Sequence, residues 1–257
     1  MKKYLLAAAA VVALAIPSVL PTSLRAAEHV ELPKENWSFN GVLGGFDRAQ
    51  LQRGFQVYKD VCAACHSLNY VSFRNFEALG YSEEQVKSLA AQYEVEDGPD
   101  DSGDMFKRKA KPSDHIPKPF ANESMARLAN GGALPPDLSL ITKARVGGPD
   151  YIYNLLLGYE EPPAGFVMNP GSSYDKYFPG NQIAMAKQIS DGLVTYADGS
   201  PNDAAHIAKD VTAFLHWAAE PKLEARHSTG LRVTLYALIF AVLAYLTKRR
   251  IWKNIPH

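Results

Sequence analysis

The chain has almost no cysteine, two in 257 residues. That excludes a four-thiolate zinc site, because no second cysteine pair exists to complete one. It has no net charge either: 27 Lys and Arg balance 27 Asp and Glu, so no nucleic-acid partner is expected. No alternating run suggests a sheet of any size, and no internal repeat occurs. A helical protein with long connections is what remains.

The two cysteines stand together. Cys62, Ala63, Ala64, Cys65 and His66 spell C-x-x-C-H, the attachment motif of a single covalent c-type haem. Both thiols can reach the vinyl groups of one porphyrin, and the adjacent imidazole can reach the iron from the same side. A thioredoxin-like pair would need no following histidine.

Both ends of the chain speak to location. Lys2 and Lys3 precede an apolar run from Tyr4 to Leu20 and small residues at Ala26 and Ala27, the layout of a secretory signal peptide over residues 1–26. A retained N-terminal anchor is the rival, but the run is short and broken by Pro17 and Pro21. At the other end VTLYALIFAVLAYL, Val233 to Leu246, carries no charge. With its flanks it approaches spanning length and predicts one transmembrane helix over residues 226–248. Lys248, Arg249, Arg250 and Lys253 follow, so the positive-inside rule puts the tail, residues 249–257, in the cytoplasm and residues 27–225 outside. A buried core helix is the bland alternative.

Between leader and anchor lies room for one domain with a real core. All 27 acidic residues fall between Glu28 and Glu224, a span with fewer bases than acids, so the exported domain is acidic. Glu94, Glu96, Asp97, Asp100, Asp101 and Asp104 concentrate that charge in a Gly/Pro-punctuated stretch, read either as a solvated loop or as an electrostatic guide for a basic partner. Helices are predicted from Phe46 to Val61, from a Ser82/Gln85 capping box through Tyr93, from Asn122 to Gly131, from Pro149 to Gly158, and from Asp203 to Ala219. Pro112 to Pro119 and Glu161 to Pro179 read as turn-rich loops.

A haem iron bound by His66 needs a sixth ligand or a reason to lack one. Met105, Met125, Met168, Met185, His115, His206 and His216 are the candidates, and spacing barely ranks them. Thioether with imidazole suits electron transfer at raised potential; an open site suits ligand binding or peroxidase chemistry.

RGFQVYKDVCAACHSL, ALPPDLS from Ala133, KARVGGPDYIYNLLLGYEEPPAG from Lys143, YFPGNQIAMA from Tyr177 and DVTAFLHWAAEPK from Asp210 together resemble the cytochrome c1 family. This is the membrane-anchored haem subunit of the quinol:cytochrome c oxidoreductase, the bc1 complex, in its alphaproteobacterial and mitochondrial form. The resemblance covers essentially the whole mature chain. It implies an all-α cytochrome c-type haem domain with long loops and one C-terminal transmembrane helix, carrying one haem c. It implies Met185 as the axial sulfur opposite His66, Arg145 beside a haem propionate, Pro135 and Pro136 packed on the histidine side of the haem, and Tyr151 near it. It implies cytochrome b, a Rieske iron-sulfur protein, a soluble cytochrome c or c2 and the membrane as partners, within a dimeric complex. The location implied is the cell inner membrane, single-pass, with the haem domain periplasmic.

In this reading the chain moves electrons from the Rieske protein to the soluble cytochrome and has no catalytic base or nucleophile of its own. A free-standing, membrane-tethered electron carrier would share these motifs. One departure matters. Some bacterial relatives carry a loop disulfide ahead of the axial methionine, and no cysteine is spare here, so Glu161 to Pro179 is expected to hold the Met185 side by packing and turns.

Overall fold

A computed structural model describes residues 31–254; the expected leader, 1–26, and the last three residues of the tail lie outside them. The described chain is mostly helical. Helix α1, Arg48–Val57, opens on Asp47, whose carboxylate accepts from the Ala49 and Gln50 amides, and buries Leu51, Gly54, Phe55 and Val57. The helix predicted to run on to Val61 changes pitch: Tyr58–Cys62 is one π-helical turn, closed by Ala63 N donating to Tyr58 O at 2.8 Å. Such widened turns re-aim side chains, and this one delivers the C-x-x-C-H segment. Cys62 O then accepts from Cys65 N at 3.1 Å and His66 N at 2.9 Å.

Helix α5, Ala204–Ala219, starts at Asp203, as its N-cap residue predicts, and crosses α1. Gly54 permits the crossing, since a Cβ there would lie 2.1 Å from Asp210 O. Around it Phe55, Phe76, Phe214 and Trp217 form an aromatic centre, with ring centroids 4.5 Å apart for Phe55–Phe76 and 5.7 Å for Phe214–Trp217. The fully buried Asp210 takes Arg53 Nε at 2.8 Å, so the one buried charge on this crossing is paired.

Smaller elements surround this crossing. A 3₁₀ helix spans Phe73–Leu79. Helix α2, Glu83–Ala90, carries the predicted capping box, with Ser82 N to Gln85 Oε1 at 2.7 Å and Gln85 N to Ser82 Oγ at 3.3 Å. Helix α3 is Glu123–Ala129, capped by Asn122. Helix α4, Pro149–Leu157, begins at its proline and packs on α5.

The acidic stretch is more ordered than a solvated loop. Strand β1, Glu94–Asp97, pairs antiparallel with β2, Phe106–Lys109, so EVED faces FKRK with Glu94 opposite Lys109 and Glu96 opposite Lys107. Arg108 binds both Asp97 and Asp114. Opposite charges across a ladder stabilise it, and the bases that neutralise β1 lie just beyond the acidic window. A second ribbon, β3 Ser173–Tyr174 with β4 Gln182–Ile183, sits in the loop after α4.

Helix α6, Leu223–Trp252, is 30 residues long and contains an 18-residue stretch of mean hydropathy 1.7, long and apolar enough to cross a membrane, and that stretch is not buried by the rest of the chain. It starts three residues before the expected 226 and ends four beyond 248. Glu220, just ahead of it, pairs with Lys143 at 2.5 Å and with Arg226, which ties the helix to the domain above.

Candidate haem cavity

A cavity of about 710 Å³ opens between α4, α5, the π-helical turn after α1 and the two loops that precede and follow α4. Cys62, Cys65, His66, Pro136, Arg145, Tyr151 and Met185 all line it. The apolar residues of α4 and α5 supply much of the rest: Ile152, Leu155 and Leu156 from one, Val211 and Leu215 from the other. What periodicity marks as helix core is here partly cavity wall.

One wall carries the C-x-x-C-H segment. Burial, aided by neighbouring Cys65, pushes the Cys62 thiol up to about 12. Burial likewise holds the His66 imidazole below its ordinary value, against the opposing pull of the Pro136 carbonyl and Asp137. His66 Nδ1 lies 2.8 Å from Pro136 O. A carbonyl can only accept, so Nδ1 carries the proton and donates, which leaves Nε2 with a free lone pair for a metal.

The Pro136 carbonyl is itself held. Asp137 Oδ2 accepts from Ser67 Oγ at 2.7 Å and Asn69 N at 2.9 Å, while Oδ1 accepts from Ser139 N at 2.9 Å. Leu138 N donates to Ser67 O at 2.9 Å and Tyr70 N to Ser139 Oγ at 3.0 Å. Burial raises the Asp137 pKa, but these donors outweigh it and hold the carboxyl below its usual range. The residue lies inside ALPPDLS, where its carboxylate, by accepting from the backbone two residues on, makes an Asx turn; the sequence pattern draws attention to the prolines instead.

A second wall of the cavity carries Met185, just past β4. Tyr159 Oη donates to Met185 O at 3.0 Å. Asn181 stands at φ 59°, the left-handed region, and its Nδ2 donates to Asp175 O at 3.3 Å and Lys176 O at 3.1 Å. Gln182 accepts from Asn169 N at 2.6 Å. The buried Asp175 accepts from Tyr177 N at 2.8 Å and Phe178 N at 3.0 Å through Oδ1, whereas Oδ2 finds no partner among the described residues. Desolvation therefore wins, and the Asp175 carboxyl sits above its usual range despite those two amides. Nothing in the sequence marks Asp175 or Tyr159 as supports of this wall.

Arg145 and Tyr151 meet at the cavity: burial raises the phenol's pKa and the nearby guanidinium opposes it. The other sulfur and imidazole candidates lie off the wall. Met105 and Met125 are exposed. His115 bridges to Ser72, His206 lies against Asp210, and His216 faces Thr142 and stacks on Phe39. Two thiols, an imidazole with one nitrogen already engaged, a thioether and a guanidinium around an apolar space form a donor set that suits a haem with carboxylate side arms.

Comparison with known proteins agrees. A family model described as the Cytochrome C1 family matches residues 37–255. The chain is 47% identical over 244 residues to the cytochrome c1 of Rhodospirillum rubrum, across 89% of this chain and 90% of the relative. It is 47% identical over 240 residues to the mitochondrial cytochrome c1 heme protein of Kluyveromyces lactis, across 93% and 82%. To the cytochrome b/c1 of Bradyrhizobium diazoefficiens it is 50% identical over 244 residues, across 86% of this chain but only 36% of that longer protein.

Proposed function

Because this chain belongs to the cytochrome C1 family, we propose that it is the electron-transfer haem subunit of a bc1 complex, handing single electrons from a Rieske iron-sulfur protein to a soluble cytochrome c or c2. The observation that carries this is a single apolar cavity collecting both cysteines, His66 with Nδ1 already engaged, and Met185. A haem held there supplies a one-electron couple whose potential is raised by thioether ligation. Cys62 and Cys65 would hold it covalently, His66 Nε2 and the Met185 sulfur would ligate its iron, and Arg145 would neutralise a propionate. Pro136 keeps the imidazole in the ligating tautomer, and Tyr151 closes the space beside Arg145. No proton donor or nucleophile is needed here; quinol oxidation and proton release belong to cytochrome b and the Rieske protein.

In this reading α6 is the single anchor, residues 27–225 lie on the periplasmic side once the leader is removed, and the basic end of the chain is cytoplasmic. The β1–β2 ribbon narrows the electrostatic docking idea. Glu94, Glu96 and Asp97 face bases within the ribbon, so attraction for a basic cytochrome falls to the connecting tip, where Asp100, Asp101 and Asp104 are exposed.

Extraction of the full chain in mild detergent, with optical spectra after ascorbate and then dithionite, tests the assignment. A c-type band reduced by ascorbate, with b-type haem appearing on dithionite in the same material, is the expected result. A c-type band alone means a free-standing tethered carrier and removes the cytochrome b and Rieske assignments. A high-spin spectrum that shifts with carbon monoxide removes the Met185 ligand.

A further inference from the structure

Residues 41–44 form a tight turn, closed by Gly44 N donating to Gly41 O at 3.2 Å. Its two central residues are apolar and point out of the protein: Val42 is 69% exposed and Leu43 84%. An exposed turn tip normally carries polar residues, so this one lacks a reason to be where it is in water.

The turn is not loose. Gly44 has no room for a side chain, since a Cβ would fall 2.3 Å from Asn40 O. Two residues on the first turns of α6 hold the turn and the chain just after it: His227 Nδ1 donates to Gly44 O at 3.0 Å, and Glu224 accepts from Phe46 N at 2.8 Å and pairs with Arg48. Val42 and Leu43 share a shallow apolar recess with His227, Ser228 and Leu231, so the tip lies alongside α6 in the direction of its apolar run. That uncharged run begins at Val233, about 9 Å further along the helix than His227 at 1.5 Å per residue. An apolar pair held at that height lies at the boundary between headgroups and acyl chains, and Arg232 stands at the same level, suited to lipid phosphate.

We propose that the Gly41–Gly44 turn is a second membrane contact, an apolar foot that seats Val42 and Leu43 in the lipid interface beside α6 and fixes the tilt of the haem domain over the bilayer. The occupant is phospholipid. One helix alone leaves a domain free to swing about its entry point; a second contact, clamped to the same helix by Glu224 and His227, removes that freedom. The proposal rests on α6 being the anchor.

The test uses the full chain, with whatever subunits accompany it, in nanodiscs of phosphatidylcholine in which a fraction of the acyl chains carries a diazirine. After photolysis, lipid adducts are mapped by mass spectrometry. Adducts on Val42 or Leu43 as well as along Val233–Leu246 are expected. Adducts on the helix without any at the turn overturn the foot alone; none on either overturns the anchor reading with it. A Leu43→Cys variant, whose thiol is the only one free once both native cysteines hold haem, adds a second readout. Its reaction with a charged maleimide in nanodiscs should be several-fold slower than that of an Asp101→Cys control. Equal rates mean the tip is in water, and protection without a lipid adduct means a protein covers it; either result overturns the proposal.

Discussion

The two walls of the cavity hold their ligands by different means. His66 follows the cysteines at once, on a turn that continues α1, and its orienting carbonyl is tied by an ionised carboxylate whose oxygens accept three hydrogen bonds. Met185 comes at the end of a long excursion after α4 and is placed by two-residue strands, a left-handed asparagine and a buried carboxyl with one oxygen unpartnered among the described residues. The first wall is part of the fold's centre. The second is an addition to it, so injury there should be felt at the iron before it is felt by the fold.

Met185→Leu is the strongest way to break that contrast. The chain should still fold and hold haem through Cys62 and Cys65, while the potential falls on the order of 0.1 V or more, axial ligand identity being a main control over that range. Redox titration of the purified variant reads it; an unchanged potential takes Met185 off the iron. Next comes Asp137→Ala on the other wall, which leaves Asn69 and Ser139 amides and the Ser67 hydroxyl without their acceptor. A loss of about 2–4 kcal/mol is expected, with Tm lower by roughly 5–15 °C. The slackened Pro136 carbonyl makes His66 a weaker base, so the potential should move slightly upward. A fall in Tm with no change in potential would make Asp137 a strut with no hold on His66.

Asn181→Ala should cost less, about 1–2 kcal/mol for an alanine in the left-handed region, and only on the methionine wall. Its signature is loss of the sulfur-to-iron charge-transfer absorption at a temperature well below global unfolding. Simultaneous loss would show that the two walls melt as one.

How legible each wall is follows from the same difference. Helices α2, α4 and α5 could be read because Ser82, Pro149 and Asp203 sit next to what they start, α1 because its apolar residues recur at helical spacing, and C-x-x-C-H is complete within five residues. Met185 could not be ranked above Met168 by spacing, because what separates them is where a loop folds back; the resemblance to a family chose it. The β1–β2 ribbon was missed because neither EVED nor FKRK looks like a strand alone, and only their opposition explains both. Asp137 and Asp175 are ordinary loop aspartates until the structure shows one with its donors gathered and the other buried short of them.

Those two carboxyls make the comparison testable by pH alone. Asp137 is held below the usual range because its donors outweigh the cost of burial. Its contribution is therefore complete above about pH 4, the unfolded carboxyl value, and drains away as pH falls through its depressed folded value. Asp175 is shifted the other way, because burial outweighs the two amides on Oδ1. What it contributes is greatest below about pH 4 and declines as pH rises through its raised folded value. Acid should thus loosen the histidine wall while relieving the methionine wall. Asp175→Asn keeps an oxygen for Tyr177 and Phe178 and removes the charge, so sulfur ligation should persist to higher temperature at neutral pH, with little change at pH 4. Asp137→Asn should show the reverse, weaker than wild type at neutral pH and converging with it in acid. Thermal melts of both variants from pH 3 to 8, followed at the charge-transfer band and by circular dichroism, separate the two responses; parallel curves would mean that neither carboxyl acts on its own wall.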